Sequence, residues 1–283
     1  MSEVVAILGD EGDEGDATWE VRRDAAAIGT ARTQPRKGGQ LMTALDVPVE
    51  EAPAAFAAVR AALRDRGEEK LAVDVPTGHV VLSAALAGSD ARLVATQMLL
   101  DLTRPVPAPA RVALRPMTAD EFAGYREHLV TAYAQDMVDA GAFDDLPTAL
   151  TASERSTQEL LPDGSASPGH HLWSAVDGDT VVGILWIHAE GAKAFIYDIE
   201  VREEQRRRGY GQEMLDAGAA AAVQLGARTL GLNVFGHNDG ARALYTRAGY
   251  DTTELTFTVA LGPAHPVEPE RAGPSPDQRP ASS

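Results

Sequence analysis

Arg206, Arg207 and Arg208 stand in a row and are followed by Gly209, Tyr210 and Gly211. Glycine lets backbone amides turn inward with no Cβ in the way, and guanidinium groups match phosphate oxygens, so this stretch can hold an anion. Just upstream, Asp198 and Glu200 alternate with Ile199 and Val201. In a strand that alternation puts two carboxylates on one face and two apolar residues on the other. His170, His171 and His188 are the groups that titrate nearest neutral pH. The residues able to hold an anion and to take a proton all lie in the back half of the chain.

The elements that must position them follow from composition. Ala194 to Val201 is β-branched and aromatic, which predicts a buried strand. Gln212 to Leu225 is alanine-rich with Met214, Leu215 and Val223 at near-helical spacing, which predicts a helix. Strand, arginine–glycine loop, helix start is the order of an anion site, because the positive end of the helix dipole lies behind the loop. A pyrophosphate is the natural guest. A P-loop would need Lys and then Ser or Thr where Gln212 and Glu213 stand, and a dinucleotide fingerprint would need Gly or Ala where Met214 stands. Thr229 to Val234 predicts another strand. Asn238 as N-cap and Gly249 past the end bracket a short helix carrying Tyr245.

Arg206-x-x-Gly209-x-Gly211 resembles the acetyl-CoA loop of the GNAT acetyltransferase superfamily. Asn238-x-x-Ala241-x-x-Leu244-Tyr245-x-x-x-Gly249-Tyr250 resembles its second signature, at the expected distance. The stretches Pro168 to Trp173, Gly183 to Glu190 and Phe195 to Asp198 are similar to a bacterial subfamily of GNAT N-acetyltransferases, over about Arg115 to Leu261. The resemblance implies a mixed α/β fold, a mostly antiparallel twisted sheet flanked by helices. It also implies acetyl-CoA as acyl donor and an amine, on a small molecule or a protein, as acceptor. On this reading main-chain groups of Ile199 and Val201 hold the pantetheine and the oxyanion. Arg206, Arg207, Arg208, Gly209, Tyr210, Gly211 and Asn238 hold the rest of the donor, with Tyr245 against it. Glu200 is then the candidate base, Asp198 a second carboxylate or acceptor binder, and Tyr245 the general acid. Asn233 cannot take a proton, so the variant mechanism that places a glutamate base on that strand does not carry over. The resemblance allows a homodimer without requiring one.

The remainder of the chain bounds this reading. It has 283 residues, no cysteine and a formal net charge of −17. Disulfides and thiolate metal sites are excluded, and the histidines lack the spacing of a metal set. The acidic balance argues against nucleic acid and anionic membrane and favours cationic acceptors. A local arginine cluster still outweighs distant carboxylates, because the Debye length is about 8 Å at physiological salt. No apolar run reaches the roughly 18 residues of a membrane span and no secretory leader is evident, so the expected compartment is the cytoplasm.

The front half repeats the pattern of the back half without its chemistry. Trp19 precedes Gly29 as Trp173 precedes Gly183. Val73-Asp74-Val75 and Gly88 answer to Leu232-Asn233-Val234 and Gly249. Where a phosphate loop should follow Val47 stand Pro48, Glu50, Glu51 and Pro53, and Ala84 takes the place of Tyr245. The expectation is a tandem protein: a shortened, non-catalytic GNAT-like copy over 1–104, a proline linker over 105–111, a catalytic domain over 112–262, and a disordered tail over 263–283. Two further readings stay open, a tandem GNAT similar to mycothiol synthase and an acyl-CoA sensor without catalysis.

Overall fold

The computed structural model describes residues 3–262 apart from 13, 14, 37, 140–142 and 144. The tail from Pro263 lies outside the described residues. Two compact units form: one from the chain up to Val73, Val80–Ala91 and the residues from Thr258, the other from Asp74–His79 and Arg92–Phe257.

In the first unit β1 (Val4–Glu11), β2 (Ala17–Arg23), β3 (Ala26–Arg36) and β4 (Gly39–Asp46) pair in turn as an antiparallel meander. Alternate residues of β2, Ala17, Trp19 and Val21, are buried, and Trp19 Nε1 donates to the buried Thr33 Oγ1 at 2.9 Å. Helix α1 (Ala52–Asp65) buries Ala52, Ala55, Phe56, Ala58, Val59 and Leu63, a face at helical spacing. The strand β5 (Lys70–Pro76) then begins parallel to β4, and α2 (Val80–Leu86) follows.

The second unit opens with β6 (Arg92–Asp101), then β7 (Ala113–Pro116), α3 (Ala119–Asp139) and α4 (Leu146–Leu160). The Thr118–Glu121 capping box forms as its spacing predicts: Thr118 N donates to Glu121 Oε2 at 2.8 Å, and Glu121 N donates to Thr118 Oγ1 at 3.2 Å. After these come β8 (His170–Asp177), β9 (Thr180–Glu190), β10 (Lys193–Val201), α5 (Tyr210–Gln224), β11 (Thr229–Phe235), α6 (Asp239–Arg247) and β12 (Asp251–Ala260). Strands β7 to β10 are antiparallel neighbours, β10 and β11 are parallel, and β6 runs antiparallel to β11. Helix α5 lies close to β9 because Gly218 carries no side chain: a Cβ there would come 3.0 Å from Leu185 Cδ2. Met214 and Leu215 of α5 are fully buried, each contributing about 1.5–3 kcal/mol. Among the described residues no helix is long and apolar enough to cross a membrane.

The repeat extends to single residues. Trp19 faces Ala31 and Val21 faces Gly29, with a slip before Arg22; Trp173 faces Leu185 and Ala175 faces Gly183, with a slip before Val176. Between β3 and β4 the pairing skips Thr43, and between β9 and β10 it skips Tyr197, its counterpart. A Cβ on Gly29 would lie 2.0 Å from the Asp46 carbonyl oxygen, and one on Gly183 would lie 2.3 Å from that of Glu200. At both positions a neighbouring carbonyl occupies the space a side chain would need. A short 3-10 turn follows each fourth strand, Val49–Glu51 and Glu203–Gln205. Helix α1 starts at once after the first, whereas Arg206 to Gly209 intervene before α5.

Two boundaries differ from those read off the sequence. The strand β6, expected to close the front domain, lies in the second unit beside β11. The segment after it is no free spacer. Val106 packs against the core under α5, and the Ala110 and Arg111 amides donate to Glu213 Oε2 at 2.8 and 3.0 Å.

Candidate active site

The site lies where β10 leaves β11. The two pair only from Lys193 to Ile196, opposite Thr229 to Leu232, while β10 stays with β9 as far as Val201. The skipped residue Tyr197 marks the point of departure. Arg202 N donates to Val182 O on the β9 side, so the peptide groups of Ile199 and Val201, odd in the alternation, face the opening. One of these is already used, since Arg206 Nε donates to Val201 O at 3.2 Å.

The loop entering α5 turns through two left-handed residues, Arg207 at φ 63° and Gly209 at φ 86°. A non-glycine residue rarely holds that conformation without compensation. Among the described residues, the amides of residues 207–211 donate to no backbone carbonyl. N–H groups left open at a helix N-terminus are suited to an anion. Gly211 lets α6 approach this turn, because a Cβ there would come 3.0 Å from Leu244 Cδ2. The arginines divide their work. The Arg207 and Arg208 side chains are exposed, while Arg206 turns back to Val201 O and to Glu200 Oε1 at 3.4 Å. The Tyr210 side chain is buried and donates to Asp177 Oδ2 at 2.8 Å, so only its amide faces the loop. Asn238 caps α6, its Oδ1 accepting from Ala241 N at 3.0 Å.

Asp198 and Glu200 share a face, as the alternation predicts, and both meet α3. Tyr125 donates to Asp198 Oδ2 at 2.9 Å, and His128 Nε2 lies 3.1 Å from Glu200 Oε2. Burial raises the Asp198 pKa to about 6 against the lowering effect of the Tyr125 hydrogen bond, and the nearby Glu200 charge adds to the rise. Glu200 is more open, its side chain 38% exposed. Tyr245 is buried on α6, and burial first, then the charge of Asp198, pushes its phenol up to about 12. The Tyr125 phenol rises well above its ordinary value, mainly through burial. A cavity of about 520 Å³ opens between α3 and the ends of β8 to β10. Asp120, Glu121, Glu200, Glu203 and Glu204 line it with Arg202, so it is acidic.

Tyr125 and His128 are three apart on α3, one surface of a helix. That spacing was visible in the sequence, but nothing in it said which strand the face would meet. The histidines form a separate cluster with aromatic residues. Trp186 Nε1 donates to His170 Nδ1 at 2.9 Å, the His170 and His188 rings lie 4.4 Å apart, and Tyr197 stacks on Trp186 at 4.8 Å. Accepting at Nδ1 leaves His170 neutral with its proton on Nε2, in line with a pKa lowered by burial and then by His188. His171 stacks on Trp173, and burial, then His188, lowers its pKa too. Asn233 faces Gln97 across the β11–β6 pair.

Comparison with known proteins agrees with this geometry. The family model described as Acetyltransferase (GNAT) family matches residues 136–250. The chain is 39% identical over 156 residues to the uncharacterized N-acetyltransferase YycN of Bacillus subtilis (strain 168), covering 53% of this chain and 99% of that protein. It is 32% identical over 150 residues to a mycothiol acetyltransferase of Clavibacter michiganensis subsp. michiganensis, covering 51% of this chain and 44% of that protein. A solved GCN5-related N-acetyltransferase from Sphaerobacter thermophilus shares the fold over 90% of this chain and 83% of its own, with TM-score 0.53 and 19% identity. A parted strand pair, an amide-lined loop at a helix start and a near full-length relative coincide in one half of the chain, which belongs to the GNAT family of acetyltransferases.

Proposed function

We propose that the protein is an acetyl-CoA-dependent N-acetyltransferase acting on a primary amine by direct attack in a ternary complex. The observation that carries this is the placement of a half-buried carboxylate, Asp198, on β10 where it parts from β11 and close enough to Tyr245 of α6 to raise its phenol pKa. The chain has donors suited to the acyl donor. The amides of 207–211 and the Arg207 and Arg208 guanidiniums suit its diphosphate, and the Ile199 N–H, which also bonds the Asp198 carboxylate, would serve the oxyanion. Acetyl-CoA supplies the thioester that the amine attacks.

The chain's own residues supply the proton traffic. A lysine-like amine with pKa near 10.4 is only about one part in a few thousand neutral at pH 7. Asp198 at about 6 is ionised at neutral pH yet more basic than an ordinary carboxylate, so it takes the base role for which sequence spacing favours Glu200. Glu200, more open and lining the acidic cavity, then attracts the ammonium form of the acceptor. Tyr245, protonated throughout the physiological range, returns a proton to the leaving sulfur. The front half serves as scaffold or acceptor gate, since it has no residues between its 3-10 turn and α1 to cradle a diphosphate.

Thiol release from acetyl-CoA across a panel of amines tests the assignment. Cationic acceptors are expected to turn over best, and Tyr245→Phe is expected to slow turnover by roughly 10²-fold, the usual scale of a general acid. Unchanged turnover would remove Tyr245 from that role. Glu200→Gln is expected to raise KM for the amine several-fold while kcat changes little; an equal fall in kcat would return the base role to Glu200. The likeness to a mycothiol acetyltransferase favours a second reading, with a cysteine-bearing amino-sugar acceptor, and including that acceptor in the panel separates the two.

A further inference from the structure

We propose that Arg111, on the proline-rich segment before β7, is a positioning residue that sets the diphosphate loop, an inference resting on the acetyl-CoA reading above. Its Nη2 donates to the Arg208 carbonyl at 3.1 Å, its Nε meets Glu213 Oε1 at 3.2 Å, and its guanidinium lies 4.7 Å from the centre of the Tyr210 ring. These three contacts tie the guanidinium to the loop, to α5 and to the Tyr210 ring.

The consequence for the loop follows from peptide geometry. In a trans peptide the C=O and the N–H point opposite ways. Fixing the Arg208 carbonyl toward Arg111 therefore aims the Gly209 N–H away from it, among the amides that donate to no backbone carbonyl. Arg208 also lies between the two left-handed residues, Arg207 and Gly209, so the same bond holds a turn that the chain would not keep unaided.

The charge arrangement points the same way. A cation at a helix N-terminus opposes the dipole and is unfavourable there by itself. Here Glu213, in the first turn of α5, offsets Arg111 and also accepts the Ala110 and Arg111 amides. The strap and the loop are thus built as one unit, with a positive group held at the mouth that receives a doubly charged ligand.

Calorimetric titration of CoA into the full chain tests this, with pantetheine, which carries no phosphate, followed in parallel by NMR shift titration. Arg111→Gln is expected to weaken CoA roughly 10-fold, the scale of one charge-assisted hydrogen bond, and to leave pantetheine affinity unchanged. Arg111→Lys keeps the charge but cannot span carbonyl and carboxylate together, so it should weaken CoA nearly as much. Wild-type-like CoA binding in Arg111→Lys would overturn the positioning role, and carries the test if Arg111→Gln does not fold. Equal losses for CoA and pantetheine would reduce Arg111 to a structural residue. Failure of the wild-type protein to bind CoA would instead sink the acetyl-CoA reading, and this inference with it.

Discussion

Asp198→Asn is expected to cut turnover by at least about 100-fold and, at the same time, to make the protein more stable at neutral pH. Both effects come from one cause. Burial holds the Asp198 pKa at about 6, above the roughly 3.9 of an exposed aspartate. Between those values the folded state binds more protons than the unfolded state, so stability falls as pH rises through that window. Above pH 6 the full penalty is in place, on the order of 2–3 kcal/mol for a shift of about two units. Asparagine never ionises, and its side-chain oxygen still accepts the Tyr125 hydrogen bond that Asp198 takes at 2.9 Å. The gain should therefore be present at pH 7 and gone at pH 4. Thermal unfolding of both proteins at the two pH values measures it, and the wild-type pH–rate profile should show an acid limb near 6. A variant that is inactive but no more stable at pH 7 would mean that Asp198 ionises as it does in water, leaving no reason to prefer it as base.

Gly183→Ala is expected to cost about 3 kcal/mol or more, the upper range for overpacking, because backbone rather than a movable side chain stands in the way. The new Cβ would sit 2.3 Å from the Glu200 carbonyl oxygen and 2.7 Å from Met214 Sδ. Relief requires the end of β10 to move off β9, which shifts Glu200 and Val201 and loosens Met214 on α5. Urea unfolding should show a lowered midpoint, and the residual folded protein should have a raised KM for the acceptor. The front half offers a matched comparison. Gly29→Ala meets the Asp46 carbonyl at 2.0 Å and should destabilise as strongly, yet leave the rate per folded molecule unchanged. Loss of that rate would give the front half a part in catalysis.

These substitutions also mark how far local sequence reaches. The arginine–glycine loop and the start of α5 were legible because glycine, charge and helical spacing act within a few residues. The cap at Asn238, the capping box at Thr118 and the shared spacing from Trp to Gly across a hairpin in both halves were legible for the same reason. The alternation of Asp198 and Glu200 placed them on one face, but their different burial, on which the proposed roles rest, did not follow from it. A pKa depends on what covers the group, and the cover is Tyr125 and His128 from a helix more than 70 residues away.

What the sequence determined alone was a family, a repeat and a list of groups able to hold an anion and move a proton, since each is written in short spacings. What only the tertiary structure decided was the partnership of those groups. The strand β6 lies beside β11 rather than closing the half it follows, and the segment after it, rich in proline and so expected to be a spacer, brings Arg111 to the loop. Such choices turn on which sheet edge, helix face or carbonyl is left unsatisfied once the rest has folded. That is a property of the assembled chain and of no stretch within it.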